Sequence, residues 1–95
     1  MWIISAKPIR VFWVKHPKAV EPFQRWIKIT ERQNWKNFAD QRQTFPDADQ
    51  VGELTVFNVG GNKYRLIGAV HFNRGRIYVQ AVPTHLEYNK RNWKP

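Results

Sequence analysis

Cysteine is absent from this chain, which excludes both a disulfide framework and a thiolate metal site. Acidic residues are scarce, seven in 95, and with the three histidines they form no metal-ligand spacing such as His-x-x-x-His. Glycines number five, and Gly60-Gly61 opens into a strand pattern rather than a helix, so no helix-borne phosphate loop is expected. No serine or threonine sits in a nucleophile elbow. Nothing approaches the roughly 20 apolar residues needed to span a membrane. Met1-Trp2-Ile3-Ile4-Ser5 has no basic leader ahead of its short apolar run, so a secretory signal is not expected. An enzyme built on this chain is expected to be cytoplasmic and to work without metal or cofactor.

What is abundant is positive charge. The formal net charge is +9, and its distribution is uneven. Residues 1–53 carry nine Lys/Arg against six Asp/Glu, a net of +3. Residues 54–95 carry seven against Glu87 alone, a net of +6. A surplus of that kind in the second half favours a polyanionic partner, RNA or DNA being the common one. A hydrophobic content of 42% suffices for one modest core, so residues 1–95 are expected to form a single domain.

Periodicity orders the chain. Trp2 to Ser5 reads as a short strand. Ser5 is placed to cap a helix running to about His16, with Ile9, Phe12, Trp13 and His16 on one face. Pro17 ends it. A second helix over about Lys18 to Arg32 carries Ala19, Phe23, Trp26, Ile27 and Thr30 as its inner stripe. Asn37 caps a short helical stretch to Gln43, and Phe45 to Asp49 is read as a turn. The period then changes to two: a strand from Leu54 to Val59, a hairpin turn at Gly60-Gly61-Asn62, and a long strand from Lys63 to Asn73. Arg74-Gly75 turns into a strand from Arg76 to Val82, ended by Pro83. Thr84-x-x-Glu87 has the form of a capping box and opens a short final helix. The expected architecture is α+β, in the order β-α-α-β-β-β-α, with an antiparallel sheet and helices packed on one face.

Alternation places Lys63 and Arg65 on one face of the long strand, about 6–7 Å apart by strand rise, a spacing that can straddle a phosphodiester. Gln80 on the next strand could join them as a polar floor. Solvated charges that discourage edge pairing would look the same in sequence. In the final helix His85 and Tyr88 are i, i+3 neighbours, suited to proton transfer and base stacking, although on residue type alone surface exposure for His85 and packing for Tyr88 is the commoner outcome. His16 is read as a packed or capping histidine, and His71 as solvent-facing.

The segment Val56-Phe57-Asn58-Val59-Gly60-Gly61-Asn62-Lys63-Tyr64-Arg65-Leu66, followed by Pro83-Thr84-His85-Leu86-Glu87-Tyr88-Asn89-Lys90, resembles the HigB toxin family, a branch of the RelE/ParE-like toxins. Phe12-Trp13-x-x-His16-Pro17 and Trp35-Lys36 agree with it, so the likeness covers essentially the whole chain. It implies a RelE-like fold and a toxin neutralised by a helix-turn-helix antitoxin of the HigA type. It also implies cleavage of messenger RNA, in much of the superfamily on the ribosome, by attack of a ribose 2′-hydroxyl on the adjacent phosphate. On that resemblance Lys63 and Arg65 would orient the phosphate and stabilise its added negative charge. His85 and Tyr88 would transfer protons or stack a base. Arg74, Arg76, Gln80, Lys90 and Arg91 would lie along the RNA.

Two positions depart from the pattern. Relatives often carry arginine where this chain has Gln80, and aspartate where it has Asn89. A neutral amide is a weaker phosphate contact than a guanidinium, and Arg76 or Arg91 would have to compensate. Two other readings fit a small basic domain: a non-catalytic RNA- or ribosome-binding module, and a ParE-like inhibitor of a protein target.

Overall fold

The structure, a computed structural model, describes residues 1–61 and 63–90. Five strands, β1 (Trp2–Ile4), β2 (Asp49–Val51), β3 (Leu54–Val59), β4 (Tyr64–His71) and β5 (Arg76–Ala81), form one sheet in the order β1-β5-β4-β3-β2. Among the described residues four α-helices accompany it: α1 (Lys7–Lys15), α2 (Val20–Glu31), α3 (Phe38–Thr44) and α4 (His85–Lys90). The α+β architecture is the expected one. The edge strand β2 enlarges it, and α3 is the short helical stretch expected after Asn37. The sheet is also mixed rather than wholly antiparallel, because β1 pairs with β5 in parallel.

Helix formation follows the apolar spacing. On α2 the i, i+3, i+4 stripe buries Phe23, Trp26 and Thr30, while Glu21, Arg25 and Lys28 face outward. Ile9 and Phe12 do the same for α1. These side chains meet Phe57, Val59, Leu66, Ile77 and Val79, which the pleat of β3, β4 and β5 sends to the same side. Phe23 and Phe57 are fully buried, and each contributes roughly 1.5–3 kcal/mol by removal of apolar surface from water. Trp26, Trp35, Phe45 and Phe57 form an aromatic cluster with ring centroids 5.2–6.3 Å apart. The indole of Trp35 donates to Thr44 at 3.0 Å, and Thr44 donates to Gln33 at 3.2 Å, tying α3 to the end of α2.

The helix ends are partly as read. The Asn37 side chain accepts from the amide of Asp40 at 2.9 Å and caps α3. Ser5 does not cap α1: it lies in the left-handed region (φ 61°), and the helix starts after Ala6 with no side-chain cap. The capping box is formed as expected. Glu87 accepts from the Thr84 amide at 2.9 Å, and Thr84 accepts from the Glu87 amide at 3.2 Å.

The β3–β4 turn requires glycine. Gly60 and Gly61 have φ of +65° and +69°, and a Cβ on Gly60 would stand 3.2 Å from both Pro22 and Tyr64. No described helix is long and apolar enough to cross a membrane.

Candidate nucleic-acid interface

The face of the sheet turned away from α1 and α2 is built by the alternate residues of β3 and β4. Register pairs Val56 with Ile67 and Asn58 with Arg65. Val56 and Ile67 are buried yet stand outside the main core cluster. The floor of this face is therefore apolar in its middle, not the polar floor expected from alternation, and polar groups stand at its rim. There an open cleft of about 480 Å³ is lined by Arg65, Tyr88, Asn58, Arg42, Asp47 and Asp49, among others.

Arg65 is the centre of this cleft. Its guanidinium carbon lies 5.4 Å from the centroid of the Tyr88 ring, a cation–π arrangement, and it donates to the Tyr64 carbonyl at 3.3 Å. β4 presents Arg65, and α4, lying against β4, brings Tyr88 over it. Asn58 donates to the Asp47 carbonyl at 3.4 Å, and Arg42 donates to the Pro46 carbonyl at 2.8 Å, so the segment 46–49 forms the far wall. Two arginines and two aspartates line the cleft, so its formal charges balance.

Lys63 and His85 lie elsewhere. They line a recess of about 130 Å³ with His16, Phe12, Tyr64 and Thr84, between the end of α1 and the start of α4. The structure thus divides the four expected catalytic residues into pairs: Arg65 with Tyr88, and Lys63 with His85. Alternation does not hold for Lys63 because β4 begins only at Tyr64. Lys63 belongs to the turn, where its amide donates to the Gly60 carbonyl at 3.4 Å. His85 and Tyr88 stand at different stations of α4, which bridges the recess and the cleft. No carboxylate is among the described residues lining the recess.

The expected RNA-backbone residues are scattered. Gln80 is exposed at a β-bulge: Ile67 pairs with Ala81 and Gly68 with Val79, leaving Gln80 as the extra residue beside Ile67. Arg76 pairs with His71, six residues along β4 from Arg65 and so about 20 Å away by strand rise. Arg76 therefore does not compensate for Gln80 beside Arg65. Arg74 is exposed in the short 3-10 turn after β4 at that same far end. Lys90 is exposed at the end of α4. Arg91 lies outside the described residues.

Sequence reasoning missed Arg42, Asp47 and Asp49, which reach the cleft only through the long-range packing of α3 and its following loop. Asn58 was within reach, since a hairpin turning at Gly60-Gly61 sets it beside Arg65. His16 is the capping histidine expected at the end of α1, its amide donating to the Phe12 carbonyl at 2.9 Å and its ring stacked on Phe12, and it is also exposed. Among the described residues no group of three or more His, Cys, Asp or Glu gathers as a metal site would require.

Comparison with known proteins agrees with the geometry. Residues 19–91 match the family described as HigB_toxin, RelE-like toxic component of a toxin-antitoxin system. The chain is 27% identical over 93 residues to the mRNA interferase HigB of Escherichia coli O6:H1, covering 95% of this chain and 90% of that protein. It is 28% identical over 92 residues to the mRNA interferase toxin HigB of Escherichia coli K12, covering 94% and 88%. The mRNA interferase HigB of Shigella flexneri shows the same 28% identity and coverage.

Proposed function

The chain belongs to the HigB toxin family, the RelE-like toxic component of a toxin-antitoxin system, and on that premise we propose that it is an endoribonuclease that cuts messenger RNA and so inhibits translation. The observation that carries this reading is the gathering, on β4, its preceding turn and α4, of cations suited to phosphate with groups suited to proton transfer or stacking: Arg65 and Tyr88 in the cleft, Lys63 and His85 in the recess. The names of the full-length relatives support it.

In the proposed reaction a ribose 2′-oxygen attacks the adjacent phosphorus and the 5′-oxygen leaves. The products are a 2′,3′-cyclic phosphate and a 5′-hydroxyl. The phosphorus gains negative charge on the way, and preorganised cations stabilise that charge more than they stabilise the ground state. Lys63 and Arg65 are assigned this part. His85 is assigned a proton transfer, because imidazole exchanges protons near neutrality. Tyr88, held by Arg65, offers a ring face for an unstacked base. Gln80, Lys90, Arg91, Arg74 and Arg76 are assigned to the flanking RNA.

Residues 1–95 are taken as one toxin domain acting in the cytoplasm, on message engaged with the ribosome. Its neutralising partner is taken to be a helix-turn-helix antitoxin of the HigA type. The test is direct: purified protein, alone and with translating ribosomes, is incubated with RNA, and its expression is induced in cells. Scission and growth arrest are expected, and Arg65→Ala is expected to slow the scission strongly and relieve the arrest. A second reading, a module that holds RNA without cutting it, is favoured by Gln80 and by the balanced charge of the cleft. It predicts steeply salt-dependent binding with every strand left intact.

A further inference from the structure

His16 closes α1 with its ring stacked on Phe12, centroids 4.4 Å apart and planes 28° from parallel. Phe12 is itself anchored in the core, against Phe23 at 5.8 Å and Tyr64 at 5.8 Å. The stack holds the imidazole in a defined plane while leaving it exposed to a ligand. The recess it lines, about 130 Å³, also carries Lys63 and His85. A space that small lets groups on different walls reach a single phosphodiester. Two imidazoles and an ammonium around one recess are a complete set for metal-free transesterification, which needs a proton acceptor, a proton donor and a cation.

Resting on the ribonuclease reading above, we propose that His16 is the second proton-transfer residue of the site, acting across the recess from His85. The 2′-oxygen–phosphorus bond forms as the 2′-hydroxyl proton passes to the neutral ring of His85. The phosphorus–5′-oxygen bond breaks as the 5′-oxygen takes a proton from the imidazolium of His16. Lys63 neutralises the non-bridging oxygens meanwhile. No other reactant is consumed, and the two rings exchange protonation states in each turnover. The donor's part is assigned to His16 and the acceptor's to His85, and the pH dependence of the rate tests that order.

The groups that face His16 are Lys63, Tyr64 and His85 within the recess, and Glu87 and Lys15 in the groove on its other side. Lys18 follows shortly along the chain. The scissile phosphate is placed between Lys63 in the recess and Arg65 at the edge of the cleft, and the Tyr88 ring, reached along α4, takes the neighbouring base.

The test uses the full chain and a DNA oligonucleotide carrying a single ribonucleotide, with kcat/KM measured from pH 5 to 9. The wild type should give a bell-shaped profile. His16→Ala should lose about 10²- to 10⁴-fold and the alkaline limb with it, and added imidazole should restore part of the rate. A nucleoside 3′-(p-nitrophenyl phosphate), whose leaving group needs no proton, should be turned over by His16→Ala within a few-fold of the wild type. His16→Phe keeps a ring on Phe12 but has no proton to give, and should be as slow as the alanine variant. His71→Ala, an exposed histidine at the far end of β4, should cut normally. If the wild type cuts while His16→Ala or His16→Phe keeps its rate across the pH range, the proposal is overturned and the ribonuclease reading stands. If the wild type binds the oligonucleotide without cutting it and also leaves messenger RNA on translating ribosomes intact, both fall.

Discussion

Replacing Arg65 with alanine removes one half of a two-part clamp, and its effect can be worked from the geometry. A charge-assisted contact to phosphate is worth about 1.5–3 kcal/mol, which at 1.36 kcal/mol per decade converts to a loss of about 10- to 150-fold in kcat/KM. The stack of the guanidinium on Tyr88, 5.4 Å from the ring centroid, adds about 0.5–1 kcal/mol. Arg65→Lys keeps the charge and gives up the planar fork, so its rate should fall between the wild type and alanine. The discriminating experiment is a double-mutant cycle of Arg65→Ala with Tyr88→Leu, scored by kcat/KM on a short RNA with folding checked by thermal denaturation. The clamp predicts that the double variant is about two- to fivefold faster than the product of the single effects, because the second substitution removes a contact already lost. Strict additivity, together with full activity in Arg65→Lys, would refute the reasoning.

Three further outcomes follow from the same structure. Gln80→Arg places a guanidinium at the exposed bulge beside the apolar floor and should raise kcat/KM by up to about tenfold; an unchanged rate in a single-turnover assay would show that position 80 does not meet the phosphate. Glu87 is held below its ordinary value of 4.5, first by the Thr84 amide and then by the Thr84 hydroxyl. A carboxylate depressed in the folded state stabilises above its unfolded pKa and ceases to do so as pH falls through the folded one, so the protection of α4 amides, taken relative to their intrinsic exchange rate at each pH, should fall below about pH 4.5. Thr84→Ala should lower it already at neutral pH, by the roughly 1 kcal/mol of a lost N-cap. Phe57→Ala, at a fully buried position touching three other rings, should cost about 3–5 kcal/mol, read as a fall in urea midpoint at constant slope.

Short-range chemistry was the legible part of this chain. The capping box at Thr84 and Glu87, the Asn37 cap, the stripe of α2 and the Gly60-Gly61 turn depend on residues within a few positions of one another, and each formed as read. Ser5 misled because a serine before a helix reads as a cap, yet tertiary placement of β1 puts its backbone at positive φ. The parallel pairing of β1 with β5 joins residues more than 70 positions apart, which no local pattern encodes. Asp49–Val51 is too short and too polar to announce a strand. The site was legible by residue type rather than by arrangement. Lys63 and Arg65 look like one strand pair, but the strand begins between them, and the turn turns Lys63 toward His85. His16, sixty-nine positions from His85, came to that recess only through the packing of α1 on the sheet.

The most direct measurement is the chemistry of the ends left on a cut RNA. Purified protein, alone and with translating ribosomes, is given a defined message fragment with and without a 2′-deoxy substitution at the cut nucleotide, and the products are resolved by mass. The account predicts a 2′,3′-cyclic phosphate facing a 5′-hydroxyl, and no cut where the 2′-oxygen is missing. Scission that persists at the deoxy position, or firm binding with every strand intact, would contradict it.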